Sequence, residues 1–168
     1  MLLIVLLASA LVAMALGECS FPNGTDTKLV WWQGSGTAAI QITSLATFDS
    51  NGNSEYPLKL TEPLIIQLHM KNSEAAVWDG ADFTQTIKIW QYGGFAGCSW
   101  SEVPTFGMLD NMPSCNNGIP CPLPLGENDS IIGLLKNDSP YQIQFLLSDA
   151  KSKHSFSIFA QARALTKK

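Results

Sequence analysis

Between Glu62 and Lys71 the chain alternates without a break. Leu64, Ile66, Leu68 and Met70 fall on one side, and Gln67, His69 and Lys71 on the other. A period of two is that of an extended strand with one apolar face. The pattern recurs along the chain. Ile40 and Ile42 oppose Gln41 and Thr43, and Ile87 and Ile89 oppose Lys88. Tyr141, Ile143, Phe145 and Leu147 oppose Gln142, Gln144 and Ser148; Phe156, Ile158, Ala160 and Ala162 oppose Ser157, Gln161 and Arg163. A further strand is predicted from Asp129 to Leu135, and a short edge strand around Trp31-Trp32. The last two strands flank the polar turn Asp149–Lys153 and should form a hairpin. Nowhere does a 3.6-residue period persist, so helices are not expected beyond one turn opened by Pro104. About seven short alternating strands predict an all-β fold, an immunoglobulin-like antiparallel two-sheet β-sandwich. In such a sandwich the apolar faces of the two sheets point at each other.

The first 17 residues, Met1 to Gly17, form an apolar run too short to span a bilayer comfortably. Ala15 and Gly17 place small residues where a signal peptidase would cut before Glu18. Residues 1–17 therefore read as a secretory signal peptide and 18–168 as one domain, long enough for a substantial core. The formal charge is −4, with no Lys/Arg cluster, so nucleic acid is not an expected partner. Charged residues are 14% of the chain, against about 25% in an average soluble protein. The surface is then largely neutral and polar, or the chain buries more apolar area than usual.

All four cysteines lie after the signal segment, and an even number in a secreted chain reads as disulfides. Cys115 and Cys121 make a stapled loop that continues through Pro122-Leu123-Pro124-Leu125-Gly126. Proline has no N–H and a fixed φ, so this segment is neither helix interior nor central strand until the prolines end. Three glycosylation sequons begin at Asn23, Asn128 and Asn137, and they fit the same secretory route.

Catalytic chemistry is sparse. The two histidines are His69, on the polar face of a strand, and His154, beside a Lys-rich turn. No nucleophile elbow, zinc-protease helix or phosphate loop occurs. The one acid–base route that can be assembled pairs Asp149 with His154. Asp49-Ser50-Asn51-Gly52-Asn53 offers oxygen ligands but lacks the spacing and late glutamate of a calcium loop, and reads as a turn. Neither a metal nor a cofactor is expected.

Apolar side chains are plentiful instead. Those on the inward faces make either a plain core or the walls of a ligand site. A second group, Trp78, Phe83, Phe95, Trp100 and Phe106, stands in or beside Gly-rich loops. Apolar groups there rim an opening, touch a membrane, or tuck back onto the fold.

The segment Cys115-Asn-Asn-Gly-Ile-Pro-Cys121-Pro-Leu-Pro-Leu-Gly126 resembles the ML lipid-recognition domain family, in which a Cys-x(4–5)-Cys-Pro-Leu stretch opens a middle strand. The run from Tyr141 to Leu165 is similar to that family's closing hairpin, and its wording, like that of the Phe106–Met112 turn, is nearest to the ganglioside-activator and sterol-transfer members. The resemblance is strong from about residue 98 onward. It implies a sandwich whose sheets splay around an apolar cavity, and a non-enzymatic role in binding and presenting lipid. The family ties its N-terminal cysteine to one in the last strand. This chain has no cysteine after Cys121, which leaves Cys98 to Cys19.

The expected function is therefore a secreted or lysosomal lipid carrier. It holds an acyl chain or sterol and presents it to a membrane, a lipid hydrolase or a receptor. Its walls would be Ile40, Ile42, Leu64, Ile66, Leu68, Met70, Ile87, Ile89, Tyr141, Ile143, Phe145, Leu147, Phe156 and Ile158. Leu123 and Leu125 would point the same way along a strand launched from Cys121. Phe95, Trp100 and Phe106 would rim the mouth. The alternative is an extracellular interaction module with a solid core and a flat apolar patch.

Overall fold

The structure, a computed structural model, describes residues 19–37, 39–59, 65–74, 78–94, 97–115, 119–132 and 139–165, with backbone alone at 127–132 and 139. The proposed signal segment lies outside the described residues, as do the candidate site residues Leu64, Phe95 and Asn137 and the last part of the strand expected at 129–135.

Among these residues the chain is all β. Ten strands follow in order: β1 Val30–Gly36, β2 Ile40–Phe48, β3 Leu58–Lys59, β4 Ile65–Asn72, β5 Phe83–Tyr92, β6 Trp100–Glu102, β7 Met112–Pro113, β8 Gly126–Ile132, β9 Ser139–Asp149 and β10 His154–Leu165. The larger sheet runs β1-β10-β9-β5-β6, with β3 also on β10 and β7 also on β5; the smaller runs β2-β4-β8. Every pairing is antiparallel except the two-residue contact of β3 with β10. The predicted hairpin is present: β9 and β10 pair from His154↔Asp149 to Ala164↔Ser139. The segment opened by Pro104 forms turns, not a helix.

Buried side chains of both sheets belong to one hydrophobic cluster. Alternation decides which ones, except where a register shift intervenes. In β2 the pairing with β4 shifts between Ile42 and Ser44. Ile40 and Ile42 are buried before the shift, and Leu45 and Thr47 after it. A bulge adds one residue to one strand and so exchanges its faces.

Both disulfides are formed, Cys19–Cys98 and Cys115–Cys121, each with Cα atoms 5.4 Å apart. The first closes a separation of 79 residues and the second one of 6. Disulfides of this kind fit an oxidising compartment.

At one end, called the tied end below, β1 bonds directly to β2; at the other, β3 pairs with the end of β10 and the Tyr56 hydroxyl accepts from Arg163 N–H. At the tied end β1 stops at Gly36, opposite Phe156, and Thr37 N–H donates to the Ser155 carbonyl at 2.7 Å. Gly36 fits because an added Cβ would stand 2.5 Å from the Phe156 Cα. Gln33 of β1 reaches into β2, donating to the Ile40 carbonyl at 2.8 Å and accepting from Ile42 N–H at 2.9 Å. Ser73 N–H, just past β4, donates to the Ala39 carbonyl. The Cys115–Cys121 loop belongs to this same end, since Ser114 N–H donates to the Phe83 carbonyl and Leu123 N–H to the Trp78 carbonyl.

Candidate functional site

The inward side chains of both sheets make one hydrophobic cluster. Ile40, Ile42, Ile66, Leu68, Met70, Ile89, Leu123, Tyr141, Ile143, Phe145, Leu147, Phe156 and Ile158 are all buried in the shared cluster, and Ile87 packs against it half-buried. Leu45 and Leu58 join them, as do three alanines of β10: Ala160, Ala162 and Ala164. Periodicity missed Leu45 because the β2 bulge inverts the faces. Burial pushes the Tyr141 phenol pKa up.

Side-chain size falls along β10, while its neighbours keep large residues at the far end: Tyr141 pairs with Ala162 and Leu58 with Ala164, both buried. At the tied end stand Trp78, Phe83 and Phe156, all fully buried. The Trp78 ring meets Phe83 at 5.5 Å and Phe156 at 5.4 Å, both edge to face. Along β10 the inward residues then shrink from Phe156 and Ile158 to Ala160, Ala162 and Ala164. Of the alternatives open for the loop aromatics, Trp78 and Phe83 take the last: both tuck back onto the fold and fill this end as a plug. Trp78 holds a left-handed backbone, φ 68°. No sequence period signals that conformation.

Of the three residues expected at a mouth, the structure places two. Trp100 lies in β6 beside Tyr92, ring centroids 5.1 Å apart. This is the far end of β5, opposite the plug, because Gln91 pairs with Tyr141 while Phe83 pairs with Asp149. Phe106 is elsewhere, in the turn whose Leu109 carbonyl accepts from Ile87 N–H midway along β5. It is 88% exposed and its neighbour Met108 73%.

Leu123 and Leu125 do not share a face. Leu123 is 3% exposed and Leu125 59%. The expected strand from Cys121 is absent because pairing starts only at Gly126, where φ is +89°. Before that the backbone is held by side chains: Asn72, fully buried, donates its amide to the carbonyls of Leu123 at 3.1 Å and Pro124 at 3.3 Å. Pro122 and Pro124 have no N–H to give a ladder.

Polar groups inside this end are partly orphaned. Trp78 Nε1, Gln85 Oε1 and Ser114 Oγ are buried without a hydrogen-bond partner among the described residues. Gln85 sits on the inward face, opposite Leu147.

The histidines take different partners from the one proposed. His154 Nδ1 meets Glu74 Oε2 at 2.9 Å, so a residue after β4 clasps the start of β10 across the two sheets. Asp149 is engaged by its own hairpin and by the plug. Burial pushes its pKa up, but hydrogen bonds from the Ser152 hydroxyl and from the N–H groups of Ser152, Trp78 and Lys151 outweigh this. They hold the carboxyl below the usual carboxylate range. The Ser152 hydroxyl oxygen accepts from the His154 backbone N–H at 3.3 Å, while the imidazole Nδ1 is turned to Glu74.

A pH prediction follows for Asp149. A carboxyl with a lowered folded pKa adds stability above its unfolded value near 3.9, and that stability is lost as pH falls through the folded value. Urea unfolding of the wild type should therefore weaken from about pH 5 downward more than that of Asp149→Asn, which at neutral pH should already be about 1–3 kcal/mol less stable. Parallel pH profiles for the two proteins would show that Asp149 does not contribute in this way.

Asp49 closes its turn, accepting from the N–H groups of Asn51 and Asn53 and from the Asn53 amide. The Asn53 side chain, then its backbone, lowers the carboxyl pKa. Its oxygens serve the hairpin. Asp79 lies near Cys115 and Cys121 with metal-like spacing, but both sulfurs are bonded to each other and offer no thiolate. Asn23 occupies a surface turn and donates its amide to Gln161 Oε1 at 2.7 Å, while Thr25 of the same sequon is fully buried. Asn128 lies in β8, opposite Met70 in register.

No protein-family model matches the chain, and no curated protein matches it.

Proposed function

We propose that the protein is a non-enzymatic lipid carrier of the ML type, secreted or lysosomal. In this reading the fold is an immunoglobulin-like sandwich, and an acyl chain or sterol lies between its sheets. The supporting observation is the size gradient on β10: bulky Phe156 and Ile158 at the tied end, then Ala160, Ala162 and Ala164, all buried. A row of methyl side chains leaves less volume filled between sheets that pack about 10 Å apart. A lipid would enter beside Trp100 and stop at the Trp78–Phe83–Phe156 plug. Apolar walls suffice to hold it, since each buried methylene contributes about 0.8 kcal/mol before ordering costs.

Mass spectrometry of organic extracts from natively purified protein should recover stoichiometric lipid. Ala162→Phe supplies the sharper check. If the space is a ligand site, the phenyl ring fills it: uptake of a fluorescent fatty acid falls while unfolding free energy stays level or rises. A solid core predicts overpacking, with a loss of about 1–3 kcal/mol. That loss, with no lipid recovered, would sink the proposal.

The exposed pair Phe106 and Met108 favours a second reading, an extracellular module with a filled core that engages a protein partner through this turn. The sign of the Ala162→Phe stability change separates the two.

A further inference from the structure

A groove of about 540 Å3 lies on the outer face of the large sheet, at the tied end. Its floor is a row of hydroxyls. Thr84 of β5 pairs with Ser148 of β9, and Ser148 with Ser155 of β10, so the three stand side by side across adjacent strands. Alternation puts them on the face opposite Phe83, Leu147 and Phe156, away from the interior. None of the three hydroxyls has a hydrogen-bond partner among the described residues. Such volumes are typical of small-molecule sites, which span about 300–1,000 Å3.

The charges around this floor are ordered. Asp82 flanks it on the β5 side and Lys153 on the β10 side, and both line the groove and are exposed. Asp82 ends the turn before β5, where its carbonyl accepts from Ala150 N–H, and Lys153 ends the β9–β10 turn. The other ionisable groups of the lining are already committed: Asp149 to the hairpin amides and His154 to Glu74. The groove lining thus carries one ammonium and one carboxylate with no partner among the described residues, beside a strip of hydroxyls. A simple anion meets Asp82 as a like charge, and a simple cation meets Lys153. A neutral sugar leaves both charges unanswered and finds no aromatic carbocycle in the lining to stack on.

We infer that this groove binds a short zwitterion of the phosphoethanolamine type, its anionic group on the hydroxyls and Lys153 and its ammonium toward Asp82. Phosphate oxygens accept from hydroxyls and from the flexible lysine. The site is independent of the inter-sheet proposal, because it lies on the opposite face of the sheet.

Nuclear magnetic resonance titration with O-phosphoethanolamine tests it, with inorganic phosphate and ethylamine as single-charge controls. The expected result is binding of the zwitterion at millimolar concentration, tighter than either control, with shifts at Thr84, Ser148 and Ser155. Lys153→Gln and Asp82→Asn should each weaken it about two- to five-fold, the scale of one exposed charge contact. Vesicles of phosphatidylethanolamine that bind the wild type but not the double variant identify a lipid headgroup as the source. Free-headgroup binding without vesicle binding identifies a soluble one. Fluorescent fatty acid uptake should be unchanged in both variants. No binding, equal binding of phosphate alone, or full affinity in both variants overturns the inference.

Discussion

Replacing Trp78 with alanine is expected to lower the unfolding free energy by about 3–5 kcal/mol, the range for deleting a fully buried large aromatic. The indole has no solvent exposure and touches Phe83 and Phe156 edge to face. It holds this place despite a left-handed backbone, which opposes the burial gain by about 1–2 kcal/mol. Alanine keeps the backbone strain and removes the burial, so little relaxation is available. Phe106 is the matched control. It too is an aromatic with positive φ, 51°, but its ring is in solvent. Phe106→Ala should stay within about 0.5 kcal/mol of wild type. Guanidinium unfolding of both variants measures the contrast, and equal effects would show that Trp78 does not anchor the interior.

Loss of the Cys19–Cys98 bridge should be comparably severe. Closing a 79-residue separation removes roughly 4.5 kcal/mol of chain entropy from the unfolded state. The Cys115–Cys121 loop, with a separation of 6, gives only roughly 2.4 kcal/mol by the same relation. The double serine variant of the long bridge should therefore unfold at clearly lower denaturant than that of the short one. The reverse order would mean that packing dominates in the short loop, where Ile119 and Leu123 are both buried.

The strands were readable because their faces differ in chemistry. Tyr141 to Leu147 and Phe156 to Ala162 alternate with polar partners, and each inward residue is buried as the alternation requires. Readability ended where geometry departs from a regular pleat. The β2 bulge moved Leu45 to the core with no change in composition to announce it. Leu123 and Leu125 are two apart, but the backbone between them is shaped by Asn72, over fifty residues earlier in the chain. Glycine and aspartate after Trp78 left its exposure open in the sequence; its ring is fully buried, at a positive φ that no linear pattern signals. The Glu74–His154 clasp and the hydroxyl groove join residues from separate elements, and neither has a spacing that a linear reading could find. The volume between the sheets is a further quantity to which alternation is blind.

The edges of the large sheet carry a consequence for self-association. Each edge is divided between two short strands: β1 and β3 along β10, β6 and β7 along β5. Neither presents one long row of free N–H and C=O groups, the template on which a second chain could add a strand. In β1 the register also shifts between Gln33 and Gly36, which bends that edge. The smaller sheet breaks its β2 edge in the same way, by the bulge after Ile42. Many proteins guard their edges with lysine, but this chain has only ten Lys and Arg residues and a net charge of −4. Protection of these edges against strand addition therefore rests on interrupted geometry, with little help from electrostatic repulsion, and the unbroken β8 edge of the smaller sheet has no such interruption.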